Sequence, residues 1–431
     1  MEPESLIMIS RVSRVRRDDC YVYIALPGQI ESVVAGRYRL EIDRSGNNLG
    51  RFVYGKSYLA RPDAVEIDPV ELKLVRGNFT TGRLDGVFGA LRDSGPDFWG
   101  RRLIEKYCGK STLREIDYLL DSPEDRAGAL SFGLNQEPPA PARRFNRTID
   151  LAKLQSTAEK ILLSEQMELD DDTIQTRELL ALTTSIGGAR PKAVVEDRDG
   201  LWIAKFSRPD DRWNNPRVES AMLELARLCG INAARNRVEQ VGDRDVILVQ
   251  RFDRTRVAGG YLKARMISAL TLLRAEDSVS QRKNWSYVLV AEQMRRVVAD
   301  PKIDLEELFR RTCFNALISN IDDHPRNHAF IALDQGWRLS PAYDLTPSPG
   351  VSKERRDLAM ELGDLGRIAN ESNILSQSSR YLLDRERARA ILAEVKSVVK
   401  GDWYRVARAH GVSESDCDTI KSAFVYESFE Y

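Results

Sequence analysis

The sequence predicts an α+β fold in two lobes, a small β-rich lobe and a larger, mostly helical one, preceded by a further mixed α/β subdomain. Three observations carry that expectation. Strand-like apolar runs such as Tyr21-Val-Tyr-Ile-Ala-Leu26, Leu201-Trp-Ile-Ala-Lys-Phe206 and Val246-Ile-Leu-Val-Gln-Arg-Phe252 precede residue 253. Helical periodicity dominates beyond it. A stiff, proline-rich connector, Glu137-Pro-Pro-Ala-Pro-Ala142, divides the first part. The boundaries drawn from these signals are 1–136 for the front subdomain, 137–145 for the linker, 146–253 for the small lobe and 254–431 for the helical lobe. A chain of 431 residues exceeds one ordinary core, which fits that division.

In chain order, Tyr38-Arg-Leu-Glu-Ile42 reads as a strand and Gly46-Asn-Asn-Leu-Gly50 as a loop. Asp97 to Tyr107 reads as an amphipathic helix capped by Asp97. Ser185-Ile-Gly-Gly-Ala-Arg-Pro-Lys192 is a Gly-rich turn opening onto the short strand Ala193-Val-Val195. Adjacent glycines let backbone N–H groups approach phosphate oxygens, and Lys192 adds a charge, yet the pattern is neither Walker A nor GxGxxG, and read alone it is a plain turn. In the next strand Leu201, Ile203 and Lys205 share a face, so Lys205 needs an anionic partner there: phosphate oxygens or a helix carboxylate. A snorkelling lysine is the plain alternative. The helix of residues 216–229 supplies such a carboxylate. Asn215 caps it, Pro216 suits its first turn and Gly230 its stop, while Glu219 borders the stripe Val218, Met222, Leu225 and Cys229.

Further on, Leu305, Leu308, Phe309, Thr312, Cys313, Ala316 and Leu317 recur at helical spacing and predict a buried helix. It delivers the chain to Asn320-Ile-Asp-Asp-His-Pro-Arg-Asn327. Phe330-Ile-Ala-Leu333 and Trp337-Arg-Leu339, joined by Asp334-Gln335-Gly336, form a hairpin that returns the chain to Pro341-Ala-Tyr-Asp-Leu345. Asp322, His324, Asn327 and Asp344 therefore fall around one predicted turn, and two of the chain's three histidines, His324 and His328, lie in this stretch. A polar turn explains any one of them. The set is what kinase-type phosphoryl transfer needs: one carboxylate orients a hydroxyl nucleophile, and an amide and a second carboxylate hold Mg²⁺ against ATP phosphates. The fold implied is a bilobal protein-kinase-like one.

Composition excludes several classes. Lys+Arg and Asp+Glu are both 65, so no global field draws the chain to nucleic acid or membrane. Arg11-Val-Ser-Arg-Val-Arg-Arg17 and Arg143-Arg-Phe-Asn-Arg147 are short basic clusters, read as solvated edges. The five scattered cysteines build neither a disulfide framework nor a Cys₄ zinc site and point to a reducing, cytoplasmic setting. Met1-Glu-Pro-Glu-Ser5 lacks the pattern of a secretory signal, and no run approaches the ~20 apolar residues of a spanning helix.

The motifs together resemble those of the HipA family of serine/threonine kinases, the toxins of HipBA-type toxin–antitoxin modules. Val87-Phe-Gly-Ala-Leu-Arg-Asp-Ser-Gly-Pro-Asp97 and Glu124-Asp-Arg-Ala-Gly-Ala-Leu130 are similar to that family's N-terminal segments. The Ser185 loop, Lys205, Gln250-Arg-Phe-Asp253, the Asp322 loop and Tyr343-Asp344 are similar to its core. The resemblance implies Asp322 as catalytic base and Asn327 and Asp344 as Mg²⁺ ligands. It implies phosphate contacts from Gly187, Gly188, Ala189, Arg190, Pro191, Lys192 and Lys205, adenine contacts from Gln250, Arg251 and Phe252, and His324 and Tyr343 at the nucleotide. Ser185 matches the serine whose autophosphorylation switches these kinases off. Gln250 stands where a Glu is often found. Also implied are a protein substrate of translation such as an aminoacyl-tRNA synthetase, a HipB-like helix-turn-helix antitoxin, and DNA reached through that antitoxin. A small-molecule kinase, a catalytically idle antitoxin-binding co-repressor and, remotely, a metallophosphatase are the other readings.

Overall fold

The computed structural model describes residues 18–108, 113–123, 125–140, 146–147, 150–163, 190–350 and 352–430. Its front subdomain is built on a five-stranded antiparallel sheet, formed by β1 (Asp19–Ala25), β2 (Ser32–Ile42), β3 (Asn48–Tyr54), β4 (Phe79–Thr81) and β5 (Leu130–Gly133) in the order β4-β3-β2-β1-β5. Between β4 and β5 lie the helices Gly89–Asp93, Phe98–Cys108 and Glu115–Asp121. Asp97 accepts from Gly100 N at 2.6 Å and so caps the second of these, as its position ahead of Phe98 predicts.

The small lobe is a second five-stranded sheet: β6 (Asn146–Arg147), β7 (Lys192–Asp197), β8 (Gly200–Phe206), β9 (Asn236–Val241) and β10 (Arg244–Gln250), in the order β6-β7-β8-β10-β9. Alternation fixes what each face does. Trp202, Ala204, Phe206, Val246 and Leu248 pack outward with Trp99 and Leu103 of the front subdomain and with Leu151 and Leu154 of the helix Leu151–Leu163. Ile203 and Lys205 point the other way, into a cleft. The helix Asn215–Leu228 follows β8, with Val218, Met222 and Leu225 fully buried. Its cap is Asn214, which accepts from Arg217 N at 3.2 Å. Asn215, expected in that role, is the first helical residue, and Gly230 ends the turn with φ +76°, where glycine alone is unstrained.

After a hairpin of β11 (Arg254–Val257) and β12 (Gly260–Lys263), a three-stranded sheet joins β13 (Arg265–Ser268) to the paired β14 (Ala329–Ala332) and β15 (Arg338–Leu339). The helices Tyr287–Val297, Pro301–Leu317 and Arg385–Ala409 make up most of the remaining lobe. One continuous core runs from the front sheet through the helix Asn215–Leu228 into these helices, so the front subdomain packs as part of the body. No helix among the described residues is long and apolar enough to cross a membrane, and all five cysteines are free.

Candidate active site

The helix Pro301–Leu317 enters the core progressively, and Leu305, Leu308, Phe309, Cys313, Phe314, Ala316 and Leu317 are fully buried. It ends at Ile318, and Ser319 turns the chain out with φ +51°, its hydroxyl bonded to Ala423 O at 2.7 Å. The loop that follows is held from below by Asp323. That carboxylate, 1% exposed, accepts from Tyr287 OH, from Asn315 Nδ2 at 2.8 Å and from His328 Nε2 at 2.8 Å. With its neighbour so anchored, Asp322 faces out of the loop, and Asn327 Nδ2 donates to Asp322 O at 3.4 Å. Pro325–Asn327 forms one 3₁₀ turn, closed by Asn327 N to His324 O at 2.8 Å.

The β14–β15 hairpin pairs Phe330 with Leu339 and brings Pro341–Leu345 back beside this loop. Ala342 is pinned by Ala342 N to Asn232 O at 2.7 Å and by Ala234 N to Ala342 O at 2.8 Å. Tyr343 OH donates to Arg326 O at 2.7 Å. Asp344 then adopts φ +59°, a left-handed conformation that costs a non-glycine residue on the order of 1 kcal/mol and aims its carboxylate across the cleft. There Lys205 Nζ donates to Asp344 Oδ1 at 2.8 Å and to Glu219 Oε1 at 2.6 Å. The lysine on the cleft face thus has both a helix carboxylate and a loop carboxylate as partners, and it does not snorkel.

Electrostatics follow from this triad. Burial works to raise the Asp344 carboxyl, but the Lys205 charge and hydrogen bond prevail and hold it down at about 2. Burial disfavours the Lys205 ammonium, and Asp344 and Glu219 outweigh that and raise its pKa. Glu219 moves up, because burial exceeds the pull of Lys205. Asp322 is exposed along one side, yet the protein packed around it raises its pKa. His324 opposes that rise, and the negative charges of Asp344 and Asp323 add to it. A base whose pKa is lifted accepts a proton more readily.

These groups surround a cavity of about 740 Å³, within the range of small-molecule sites. Lys192, Lys205, Gln250, Arg251, Phe252, His324, Asn327, Tyr343 and Asp344 line it; Asp322 is not among the lining residues. Phe252 and Tyr343 meet there with ring centroids 5.6 Å apart. His324 Nδ1 and Arg326 Nη2 are buried with no hydrogen-bond partner among the described residues, and both residues line the cavity.

Four expected contact residues are arranged differently. The Arg251 guanidinium is fully buried, bonded to Asp125 at 2.6 Å and Asp253 at 2.8 Å, and its backbone N–H donates to Leu201 O at 2.9 Å. Arg190 pairs with Asp211 at 2.7 Å, and Pro191 gives its carbonyl to Phe206 N at 3.1 Å; neither lines the cavity. Lys192 Nζ is bound to Asp97 at 2.8 Å. Ser185, Gly187, Gly188 and Ala189 lie outside the described residues. Sequence reasoning also missed one wall of the cavity, which the front subdomain supplies through Arg92, Asp93, Pro96, Asp97, Phe98 and Arg101. The signal available was the run of charged and turn residues Arg92 to Asp97 between two helices.

Residues 184–403, half of the chain, match the family model of the HipA-like C-terminal domain. The chain belongs to the HipA family. The putative kinase Y4mE of Sinorhizobium fredii (strain NBRC 101917 / NGR234) is 26% identical over 210 residues, 44% of this chain and 50% of that protein. The serine/threonine-protein kinase toxin HipA of Shewanella oneidensis MR-1 is 23% identical over 160 residues, 34% of this chain and 37% of that protein. The matches thus span half or less of these relatives' length. In structure, a chain of the Shewanella oneidensis MR-1 complex of HipA, HipB and operator DNA superposes with a TM-score of 0.68, covering 94% of both chains at 16% identity. That likeness extends through the front subdomain and shows the HipA fold, as the bilobal kinase-like expectation required.

Proposed function

We propose that this HipA-family chain is an ATP- and Mg²⁺-dependent serine/threonine protein kinase. The single observation that carries the proposal is the Lys205–Glu219–Asp344 triad opening into the same cavity as Asn327. Lys205 stands ready to contact phosphate oxygens, and Glu219 holds its ammonium in place. Asn327 and Asp344 would hold Mg²⁺: both offer hard oxygen donors, and Asp344 is kept ionised by Lys205. When bound, the ion neutralises phosphate charge. Asp322 orients the acceptor hydroxyl and takes its proton, with its neighbour Asp323 fixing the loop. Phe252 and Tyr343 offer an aromatic edge for the base, beside the backbone of Gln250 and Arg251.

The further reading is a growth-arresting toxin that acts in the cytoplasm on a protein of translation, such as an aminoacyl-tRNA synthetase. In this reading it is silenced by autophosphorylation at Ser185 and bound by a HipB-like antitoxin through which it meets DNA. The shared fold with a protein solved together with HipB and operator DNA supports the antitoxin part. The test is transfer of γ-phosphate from Mg-ATP to proteins of a cell extract, compared with Asp322→Asn. Labelled protein in the wild type alone supports the reading; labelled metabolites instead would make this a small-molecule kinase; no turnover by either route would leave the co-repressor.

A further inference from the structure

The kinase reading uses the two lobes and leaves unexplained why a short segment of the front subdomain enters the cleft with two buried acids. Asp93 closes the short helix Gly89–Asp93, at the end where helix polarity disfavours a carboxylate. Its side chain is 8% exposed, and its bonds cross to the opposite side of the cleft. Oδ2 accepts from Ser268 N at 2.7 Å and Thr271 Oγ1 at 2.6 Å, and Oδ1 from Ser268 Oγ at 2.8 Å and Arg326 Nη1 at 3.1 Å. Arg326 sits between His324 and Asn327, is gripped from its other side by Asp277 at 2.7 Å, and gives its carbonyl to Tyr343.

Four residues on, Asp97 is 3% exposed and reaches the other lobe. It binds Lys192 Nζ at 2.8 Å while capping its own helix through Gly100 N. Lys192 opens β7 directly opposite Lys205 in the sheet register. Two like charges so placed repel unless each has a counter-ion, and Asp97 serves Lys192 as one. The link between the two acids is braced by Ser94 Oγ to Ala90 O at 3.1 Å and by Arg92 Nη1 to Pro96 O at 3.1 Å.

We propose that Asp93 and Asp97 are positioning residues forming a strut across the cleft, Asp93 holding the Asp322–Asn327 loop through Arg326 and Asp97 holding the strand after the Gly-rich segment through Lys192. The front subdomain then sets the opening between the lobes. The effect on turnover rests on the kinase reading; the strut itself does not.

Asp93→Asn and Asp97→Asn test it, because asparagine keeps the oxygen that accepts from Ser268 N or Gly100 N and puts an uncharged NH₂, which cannot accept, against Arg326 or Lys192. Hydrogen exchange of the full chain without nucleotide should rise about tenfold in peptides over 320–328 for Asp93→Asn, and over 192–206 for Asp97→Asn, with the rest unchanged. With Mg-ATP, Asp93→Asn should lower kcat about tenfold at an unaltered KM for ATP, and Asp97→Asn should raise that KM about tenfold at an unaltered kcat. If Asp97→Asn fails to fold, Lys192→Met severs the same pair and is read by exchange. Unchanged exchange in both peptides, or a uniform rise over the whole chain, would overturn the strut whatever the activity. The expected exchange pattern in a protein whose wild type turns over no ATP would instead overturn the kinase reading and leave the strut standing.

Discussion

Lys205→Met removes one charge from the centre of the site while keeping an apolar stem of similar length. In the native protein Glu219, with its side chain 7% exposed, and Asp344, 34% exposed, share the Lys205 ammonium. Asp344 is held at about 2 against an ordinary 3.8. That shift corresponds to roughly 2 kcal/mol, and with a third of the side chain in solvent, screening brings it nearer 1 kcal/mol. Glu219 is left as a buried carboxylate without its counter-ion, for which about 3 kcal/mol is the usual loss. We expect the variant to be about 3–4 kcal/mol less stable than the wild type at pH 7.5, and to lose ATP turnover.

The pH dependence has a definite sign. In the wild type the depressed Asp344 gives stability that is present above its unfolded value and lost as pH falls toward 2. In the variant both acids have folded-state pKa values above their unfolded ones. Their penalty is therefore full at neutral pH and fades as pH falls through those raised values. The two stability curves must converge on acidification. Guanidinium melts of both proteins at pH 7.5 and pH 5, run beside Mg-ATP turnover, decide the matter. A loss below about 1 kcal/mol at pH 7.5, or a gap that widens at pH 5, refutes the triad; turnover within twofold of wild type refutes the phosphate role.

Asp344→Asn should weaken Mg-ATP binding by calorimetry, whereas Asp322→Asn should bind Mg-ATP and transfer nothing; near-normal turnover in either overturns the assignment. Because Asp322 must be ionised to take a proton and its pKa is raised, the acid limb of kcat/KM should lie above the ordinary carboxylate value of 3.8. Asp323→Asn places an amide against the three donors of Tyr287, Asn315 and His328 and should cost about 2–4 kcal/mol in urea melts. Incubation with Mg-ATP should add phosphate at Ser185 with a parallel loss of activity, followed by phosphopeptide mapping, and Ser185→Ala should escape the loss.

The linear pattern disclosed what is local. The hairpin Phe330–Leu339, the helix over 305–317 and the face shared by Leu201, Ile203 and Lys205 are all set by residues close in sequence. Periodicity of 2 or 3.6 therefore revealed them. Glu219 could be named as a lysine partner because one turn of one helix separates it from its cap. What stayed hidden are bonds across long separations. Asp97 read as a helix cap, which it is, but its second oxygen belongs to Lys192, 95 positions later. Arg251 read as a ligand contact because it follows an apolar strand; its burial depends on Asp125, 126 positions earlier, and no periodicity encodes such a pairing. The cap displaced from Asn215 to Asn214 is the ordinary one-residue uncertainty of helix ends.

The segment after β10 shows how such distant bonds serve the site. The chain turns between β10 and β11, with the side chains of Arg251 and Asp253 in a buried ionic network on one side and Phe252 lining the cavity on the other. On the first side, Arg251 binds Asp125, Asp253 and, at 2.7 Å, the carbonyl of Arg126. Asp253 accepts from Gly128 N at 2.9 Å, and Arg254 returns to Gly128 O at 2.9 Å. Two arginines and two aspartates balance in charge, but an apolar packing of the same volume would be at least as stable. The gain is one of position. Side chains flanking Phe252 are fixed to the front subdomain by directional bonds, which leaves its ring one placement, in the cavity against Tyr343. Tyr343 is itself tied through Arg326 to Asp93 of that same subdomain. The front subdomain therefore fixes the floor of the cleft from both lobes, and the site cannot be understood as belonging to the region 184–403 alone.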